Sequence, residues 1–235
     1  MTSKRYRLLD SIRGFSLLSM ILYHALWDLV YFFGFNLEWY KSTAAHIWQQ
    51  SICWTFILLS GFCQPLGRKS IRRGLLVLFC SVIVTVFSLI AMPQTPIIFG
   101  ILTLIGSCMV LSFVADRPLK KTNPYLGFIL FSGIFIFMKI SGNGIFPDTW
   151  NKNLFTAYFG FSPPCFHSAD YYPLFPWIFL YFSGYFLCLI FKKREMMGFL
   201  CSPRIRFLEY LGRHSLLIYM AHQPIIYVVL YLLFK

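Results

Sequence analysis

The sequence predicts an all-α polytopic membrane protein, a helical bundle with about seven transmembrane helices. Hydrophobic residues make up 58% of the 235-residue chain and charged residues only 12%, whereas soluble domains carry about a quarter charged residues. Apolar runs of about 20 residues recur along the chain, and each is long enough to cross a bilayer. Short basic patches separate these runs, so too little polar surface remains to cover a soluble globule.

The predicted spans follow one another along the whole chain, which we interpret as one membrane domain, 1–235. The first run is too long and too polar inside for a cleaved signal peptide, so we interpret it as a retained helix. The fourth and fifth runs are short and contain Gly and Ser, whose small side chains let helices approach closely. With a tolerance of several residues at each end, the spans are 9–34, 44–66, 74–92, 97–115, 124–140, 172–191 and 211–233.

The basic residues predict the orientation of these helices. The net charge is +13, and most of the basic residues fall in alternate loops, as the positive-inside rule predicts for cytoplasmic loops. We therefore expect a multi-pass protein of the inner (cytoplasmic) cell membrane, with the N-terminus inside and the C-terminus outside. This distribution argues against nucleic-acid binding, while a basic inner surface also suits a polyphosphate ligand or anionic lipid. The clusters are Lys4, Arg5, Arg7 and Arg13; Arg68, Lys69, Arg72 and Arg73; Arg117, Lys120 and Lys121; Lys192, Lys193, Arg194, Arg204, Arg206 and Arg213.

The first span carries a polar stripe formed by Asp10, Arg13, His24 and Asp28. At 100° per residue these side chains fall within an arc of about 120°, and ionisable groups at bilayer depth usually mark function. Asp28 is spaced to hydrogen-bond the His24 ring one turn earlier and raise its basicity, as a general base requires. The pair also fits a structural role, although neutral side chains would suffice for that. Asp10 and Arg13 fit a local ion pair and an anion site equally well.

The last span carries a second histidine at a similar depth. His222 lies about 14 Å above Arg213, and His24 lies roughly 16 Å above Arg13, so the two rings are able to meet. Pro224 frees a backbone carbonyl one turn earlier, which a ligand or a polar neighbour can use. In the alternative interpretation, His222 and its neighbour Gln223 only satisfy the kink.

The remaining polar candidates lie in the predicted outer segments. His46 opens the second span at the interface, where histidines are more often incidental than catalytic. Residues 141–171 are long, aromatic and proline-rich, and we expect them to fold as a cap over the outer face. Within them, Asp170 fits either an N-cap of the sixth span or substrate binding. The seven cysteines are scattered without a CxxC pair, so we expect neither a disulfide framework nor a metal site.

Three stretches carry a resemblance to a known family: "LLDSIRGFSLLSMILYHALWDLVYFFG", "SADYYPLFPWIFLYFSGY" and "YLGRHSLLIYMAHQPIIYVVLYLL". They resemble the bacterial membrane family related to the catalytic domain of heparan-alpha-glucosaminide N-acetyltransferase, and the resemblance covers nearly the whole chain in order. The broader acyltransferase-3 family is the second candidate, since it also begins with an "LDxxRG" helix and ends with an "SxxIYxxH" helix.

The resemblance implies an enzyme that takes acetyl from cytoplasmic acetyl-CoA and passes it to an amine or hydroxyl, often of a sugar or glycan, at the far face. The family has an essential histidine shortly after the first span and a polar residue inside it. His24 matches the in-span position, and His46 is the nearest counterpart of the essential histidine by order. The candidate catalytic residues are His24, Asp28, His222 and His46; the acetyl-CoA-binding residues are Asp10, Arg13, Arg213 and Ser215; the substrate-binding residues are Asp170 and Trp177.

Other functions use the same residues differently. A small proton-coupled transporter or lipid-handling protein would use the His and Asp side chains as a proton relay. A non-catalytic membrane scaffold would not respond to acetyl-CoA. For the enzyme we expect acetyl-CoA, a sugar or glycan acceptor and the lipid bilayer as partners, without nucleic acid or metal, and the sequence leaves homo-oligomerisation open.

Overall fold

All regular structure in the described part of the chain is helical. The computed structural model describes residues 6–67, 70–142, 150, 153–201 and 205–234. Five basic residues used above to predict orientation lie outside these ranges: Lys4, Arg5, Arg68, Lys69 and Arg204. The α-helices are α1 (Arg7–Tyr31), α2 (Thr43–Cys63), α3 (Ser70–Ala91), α4 (Ile101–Val114), α5 (Asp116–Lys121), α6 (Pro124–Ser141), α7 (Leu154–Phe159), α8 (Leu174–Lys193), α9 (Arg206–Arg213) and α10 (Ser215–Phe234).

Five of these helices, α1, α3, α6, α8 and α10, are long and apolar enough to cross a membrane. They confirm the prediction of an α-helical membrane protein. Large apolar side chains such as Ile90, Ile140 and Leu232 are strongly exposed along them, as expected of surfaces that face lipid. The count of seven spans stays a prediction, because α4 has 14 residues and extends only about 21 Å, and α2 contains the polar pair Gln49 and Gln50.

The last predicted span, 211–233, agrees with α10 within the tolerance of several residues given above. Its first residues belong to α9, and the backbone of His214 leaves the helical region (φ −102°, ψ 20°) before α10 begins at Ser215. The helices α5 and α7, with 6 residues each, were not predicted from the sequence. Helices this short are not detectable from hydrophobic periodicity, which needs a window of roughly 11–18 residues.

The contacts divide the chain into two compact units. The first unit contains Met1–Phe56 and Glu195–Lys235, and the second contains Ile57–Arg194. The prediction of one membrane domain stays a prediction.

In the first unit, α1 packs antiparallel to α9 and parallel to α10, the two consecutive helices near the end of the chain. Two glycines let α1 and α9 touch through their backbones: a Cβ added at Gly14 would lie 2.0 Å from the carbonyl oxygen of Leu208, and one at Gly212 would lie 1.9 Å from that of Asp10. Further along, Trp48 of α2 donates a 2.7 Å hydrogen bond to the hydroxyl of Ser19. This packing turns one face of α1 toward α9 and α10 along its length.

The second unit is built mainly from the pairs α3–α4 and α6–α8. A Cβ at Gly106 of α4 would lie 2.7 Å from the Leu78 side chain of α3. A Cβ at Gly127 of α6 would lie 2.5 Å from the ring of Phe186 in α8. The prediction that small residues in the fourth and fifth spans permit close helix contacts is therefore confirmed.

Candidate functional site

Two imidazole rings meet between α1 and α10. His24 Nδ1 and His222 Nε2 lie 3.0 Å apart, and the ring centroids are 5.0 Å apart with an interplanar angle of 37°. His222 is buried and His24 is partly buried. Because the two helices run in the same direction, residues counted from the same end reach the same depth. The predicted meeting of these two histidines is therefore present in the structure.

The second nitrogen of His222 also has a partner. Its Nδ1 contacts the backbone carbonyl oxygen of Tyr219, one turn earlier in α10. The Tyr219 ring lies against the His222 ring with a centroid distance of 5.2 Å, and Tyr23 meets His24 edge-on at 6.2 Å. Both imidazoles are thus held in orientation by hydrogen bonds and by aromatic neighbours.

Asp28 does not pair with His24, so that part of the prediction is wrong. Gln223 of α10 donates a 2.7 Å hydrogen bond from Nε2 to Asp28 Oδ1, while the His24 ring is turned to His222. The i, i+4 spacing permits the expected contact on one helix, but the neighbouring helix offers both side chains better-placed partners. His222 and Gln223 are consecutive in α10, and they therefore hold His24 and Asp28, which lie one turn apart on α1.

Asp28 has an unusual environment for a carboxyl group. Its side chain is fully buried, and its Oδ2 atom has no hydrogen-bond partner among the described residues. A buried polar atom without a partner costs about 1–3 kcal/mol, and more if charged. Such atoms are uncommon in native proteins and are often explained by a functional role or by an unseen ligand.

The end of the first unit at which α1 begins carries a charged network. Asp10 lies between two guanidinium groups, 3.8 Å from Arg13 Nη1 and 3.9 Å from Arg213 Nε. Arg213 Nη2 also donates a 3.2 Å hydrogen bond to the buried Glu209. Glu209 was not predicted as a site residue, although its i, i+4 spacing to Arg213 indicates an ion pair on one helix. Ser215, two residues after Arg213 in the sequence, begins α10.

His46 lies apart from the histidine pair. It is exposed in the first turn of α2, and its backbone N–H donates to the carbonyl oxygen of Ser42 where the helix begins. The structure therefore brings together His24 and His222 from the set of predicted catalytic residues and does not bring His46 to them. Its predicted catalytic role has no geometric support.

In the second unit, Asp170 caps a different helix from the one expected. Its Oδ2 accepts a 3.2 Å hydrogen bond from the backbone N–H of Ile101, the first residue of α4. The segment before α8 is held there because Ser168 hydroxyl bonds the backbone of Ile98. The predicted N-cap of the sixth span is thus wrong, because this segment pairs with the chain that leads into α4. Burial raises the pKa of Asp170 to about 6, and the Ile101 hydrogen bond opposes that shift.

This pKa predicts a pH-dependent stability that Asp170→Asn removes. The folded protein holds the Asp170 proton more tightly than the unfolded chain, whose pKa is near 3.8. The stabilisation is therefore complete below about pH 4 and is lost as the pH rises through about 6. We expect the Tm of the wild type in detergent to fall relative to that of Asp170→Asn between pH 4 and 7.5. Parallel Tm curves for the two proteins would contradict this assignment.

Trp177, the other predicted substrate-binding residue, lies in the packed interior of the second unit. It is buried beside the rings of Phe135 and Tyr172, and the Lys139 ammonium lies 4.3 Å from its ring centroid. Such cation–π contacts contribute about 0.5–2 kcal/mol. The role of Trp177 and Asp170 in substrate binding stays a prediction.

The predicted outer cap is described only in part. Residues 143–149 and 151–152 lie outside the described residues. The described part contains α7, which ends at Gly160, and the segment that pairs with residues 96–99 through Ala169 and Tyr172 backbone N–H groups. The predicted covering role of this loop therefore stays a prediction.

Within the described ranges, no group of three or more His, Cys, Asp or Glu side chains could hold a metal ion. None of the seven cysteines, all of which lie in the described ranges, forms a disulfide bond. The functional groups described so far are thus imidazoles, carboxyl groups, amides and guanidinium groups.

Comparison with known proteins identifies the family. Residues 5–224 match the model of the catalytic domain of heparan-alpha-glucosaminide N-acetyltransferase. The chain matches none of the curated proteins and none of the solved structures compared with it. The match spans both histidines, and it does not support the acyltransferase-3 alternative. The chain belongs to the heparan-alpha-glucosaminide N-acetyltransferase catalytic-domain family.

Proposed function

We propose that the protein is a membrane acetyltransferase that moves acetyl from acetyl-CoA to an amine or hydroxyl of a sugar or glycan. The observation that carries the proposal is the 3.0 Å pairing of His24 with His222 between two apolar helices, in a chain of this family. Acyl transfer needs a base for the acceptor proton and a site that excludes competing water. An imidazole fixed by hydrogen bonds can act as the base, and its position between two apolar helices excludes water.

In the proposed reaction, His24 acts through Nε2, the ring nitrogen that does not face His222. The acceptor nitrogen or oxygen attacks the thioester carbonyl carbon while His24 takes its proton. The C–S bond breaks, and the CoA thiolate leaves and receives a proton. In an alternative two-step route, His24 Nε2 first takes the acetyl group itself and then passes it to the acceptor. Both routes have the same overall balance of atoms.

We propose that the CoA phosphates bind at the inner end of the first unit. Arg13 and Arg213 each carry several guanidinium N–H donors, and Arg213 is about one-third exposed. Guanidinium groups bind phosphate oxygens in pairs, and Ser215 offers a hydroxyl nearby in the chain. The acidic partners Asp10 and Glu209 hold these arginines in place. The pantetheine arm would extend along the polar stripe toward His24.

This arrangement fits the orientation predicted from the charges. We propose seven spans in the inner cell membrane, with α2 and α4 as the two spans that are not long and apolar throughout. The N-terminus and the CoA site then lie on the cytoplasmic side, and the C-terminus and acceptor site lie toward the outer face.

Asp28 is the residue we assign to the acceptor. Its free Oδ2 lies one turn beyond His24 on α1, and Cβ atoms with this spacing are about 5–6 Å apart. One acceptor nitrogen making two hydrogen bonds of about 2.9 Å joins atoms roughly 5 Å apart. An amine acceptor can therefore donate one hydrogen to Asp28 and the other to His24.

We expect Asp28→Asn to raise the KM for the acceptor about tenfold or more. Asparagine keeps an oxygen for the Gln223 hydrogen bond but places an N–H donor where Oδ2 stands. The measurement is the acceptor KM under saturating acetyl-CoA. Asp116→Asn, at an exposed residue of α5 that pairs with Lys120, is the matched control. An unchanged KM in Asp28→Asn would remove Asp28 from the acceptor site.

The test of the function itself is acetyl transfer by the purified protein. Radiolabelled acetyl-CoA is supplied with a panel of acceptors that pairs amines with alcohols, such as glucosamine with glucose. Labelled product is the expected result. If no acceptor is labelled, and proteoliposomes instead show substrate-driven proton movement without CoA, the protein is a transporter of the kind described above.

A further inference from the structure

We propose that His222 is a positioning residue that holds His24 with its proton on Nδ1 and leaves His24 Nε2 bare. The hydrogen-bond geometry carries this assignment, and its catalytic consequence rests on the proposed acetyltransferase function. It differs from a direct catalytic role for His222, either as a donor to the thioester oxygen or as a second base.

The backbone carbonyl group of Tyr219 fixes the position of the proton on His222. The oxygen of Tyr219 can only accept a hydrogen bond, so the His222 Nδ1 that contacts it must carry the proton. In a neutral imidazole only one ring nitrogen is protonated. His222 Nε2 is therefore bare and can only accept.

The tautomer of His222 in turn fixes the tautomer of His24. His222 Nε2 lies 3.0 Å from His24 Nδ1, so His24 Nδ1 must donate and must carry the His24 proton. His24 Nε2 is then the bare nitrogen, with its lone pair available. One fixed carbonyl in α10 thus sets the tautomer of a histidine in α1.

The surroundings of His222 prevent its proton from moving readily from Nδ1 to Nε2. His222 is buried, so water cannot easily replace the Tyr219 carbonyl as its partner. Flipping the His222 ring would break both hydrogen bonds, and the Tyr219 ring at 5.2 Å restricts that motion. Both nitrogens of His222 are occupied, which leaves neither of them for the thioester.

The arrangement also suits the proposed chemistry. When His24 takes the acceptor proton at Nε2, the ring becomes positively charged and its Nδ1–H bond to His222 becomes charge-assisted. His222 and the Tyr219 carbonyl then stabilise the imidazolium along one line of hydrogen bonds. In the Ser-His-Asp triad a carboxylate stabilises the imidazolium, whereas here a neutral imidazole stabilises it.

The first test is spectroscopic and needs no activity. Nitrogen-15 spectra of histidine-labelled protein in detergent distinguish protonated from bare ring nitrogens, and His24→Ala and His222→Gln assign the signals. We expect Nδ1–H and bare Nε2 for both residues. Wild-type protein with the His24 proton on Nε2 would overturn the proposal, whether or not the protein transfers acetyl.

The second test uses two replacements of similar size. His222→Gln retains an oxygen that can accept from His24 Nδ1, whereas His222→Leu does not. We expect kcat to fall about 10²-fold or more in His222→Leu and less than tenfold in His222→Gln, with the His24 tautomer shifted only in His222→Leu. Equal kcat losses in both variants, with an unchanged tautomer, would assign His222 to packing. If the wild-type tautomer is as expected but no acetyl is transferred, the proposed function fails and the tautomer assignment stands.

Discussion

His24→Ala is expected to lower acetyl transfer by about 10²–10⁴-fold, the usual contribution of a general base. The imidazole is the group proposed to take the acceptor proton, and alanine leaves His222 Nε2 without the donor that now lies 3.0 Å away. The measurement is the initial rate of labelled product formation at saturating acetyl-CoA. His167→Ala, which replaces an exposed histidine of the second unit, is the matched control and should keep the wild-type rate.

A different result would identify another histidine as the general base. If His24→Ala transfers acetyl at the wild-type rate while His46→Ala is inactive, the exposed histidine at the start of α2 is the essential one. The family resemblance, which places an essential histidine after the first span, would then outweigh the geometry of the pair. Loss of activity in His24→Ala with a preserved Tm excludes unfolding as the cause.

Gly212→Ala is expected to destabilise the first unit by about 3 kcal/mol. The added Cβ would lie 1.9 Å from the carbonyl oxygen of Asp10 and 2.7 Å from its carbonyl carbon. Both atoms belong to the backbone, so α1 and α9 must separate. In membranes, helix packing depends on such small residues. Because α9 leads directly into α10, the separation also displaces His222 from His24, and acetyl transfer should fall together with the Tm.

The matched control for this substitution is Gly133→Ala. A Cβ at Gly133, inside α6, meets nothing within 4 Å, and alanine is the better helix former by roughly 1 kcal/mol. Thermal unfolding in detergent should show an unchanged or slightly higher Tm for Gly133→Ala and a clearly lower Tm for Gly212→Ala. Equal Tm values would mean that the two helices tolerate separation.

In the proposed site, two side chains of α10 position two side chains of α1 through hydrogen bonds. His222 and Gln223 are adjacent in α10, and they hold His24 and Asp28, which are one turn apart in α1. The base and the acceptor-binding group are thus positioned by one short segment. Motion of α10 relative to α1 would alter both groups at once, which explains why we expect the packing glycine Gly212 to affect catalysis.

The sequence by itself determined the class of the protein and the depth of its polar groups. Hydropathy and charge predicted α1, α3, α6, α8 and α10 because a bilayer demands long apolar helices and sorts basic loops to one side. The constant rise of a helix placed His24 and His222 at one height. These features follow from the chain alone, since they depend on distance along a helix and on composition.

Only the tertiary structure decided which groups are partners. Spacing along α1 suggested that Asp28 holds His24, and spacing before α8 suggested that Asp170 caps α8, but both side chains bond to neighbouring segments instead. The rotation of each helix about its axis and the identity of the facing residue decide such bonds. Spacing within one helix carries no information about either. The tautomers of His222 and His24 likewise depend on a contact between two residues that are 198 positions apart in the sequence. They could be derived only once α1 and α10 were placed side by side.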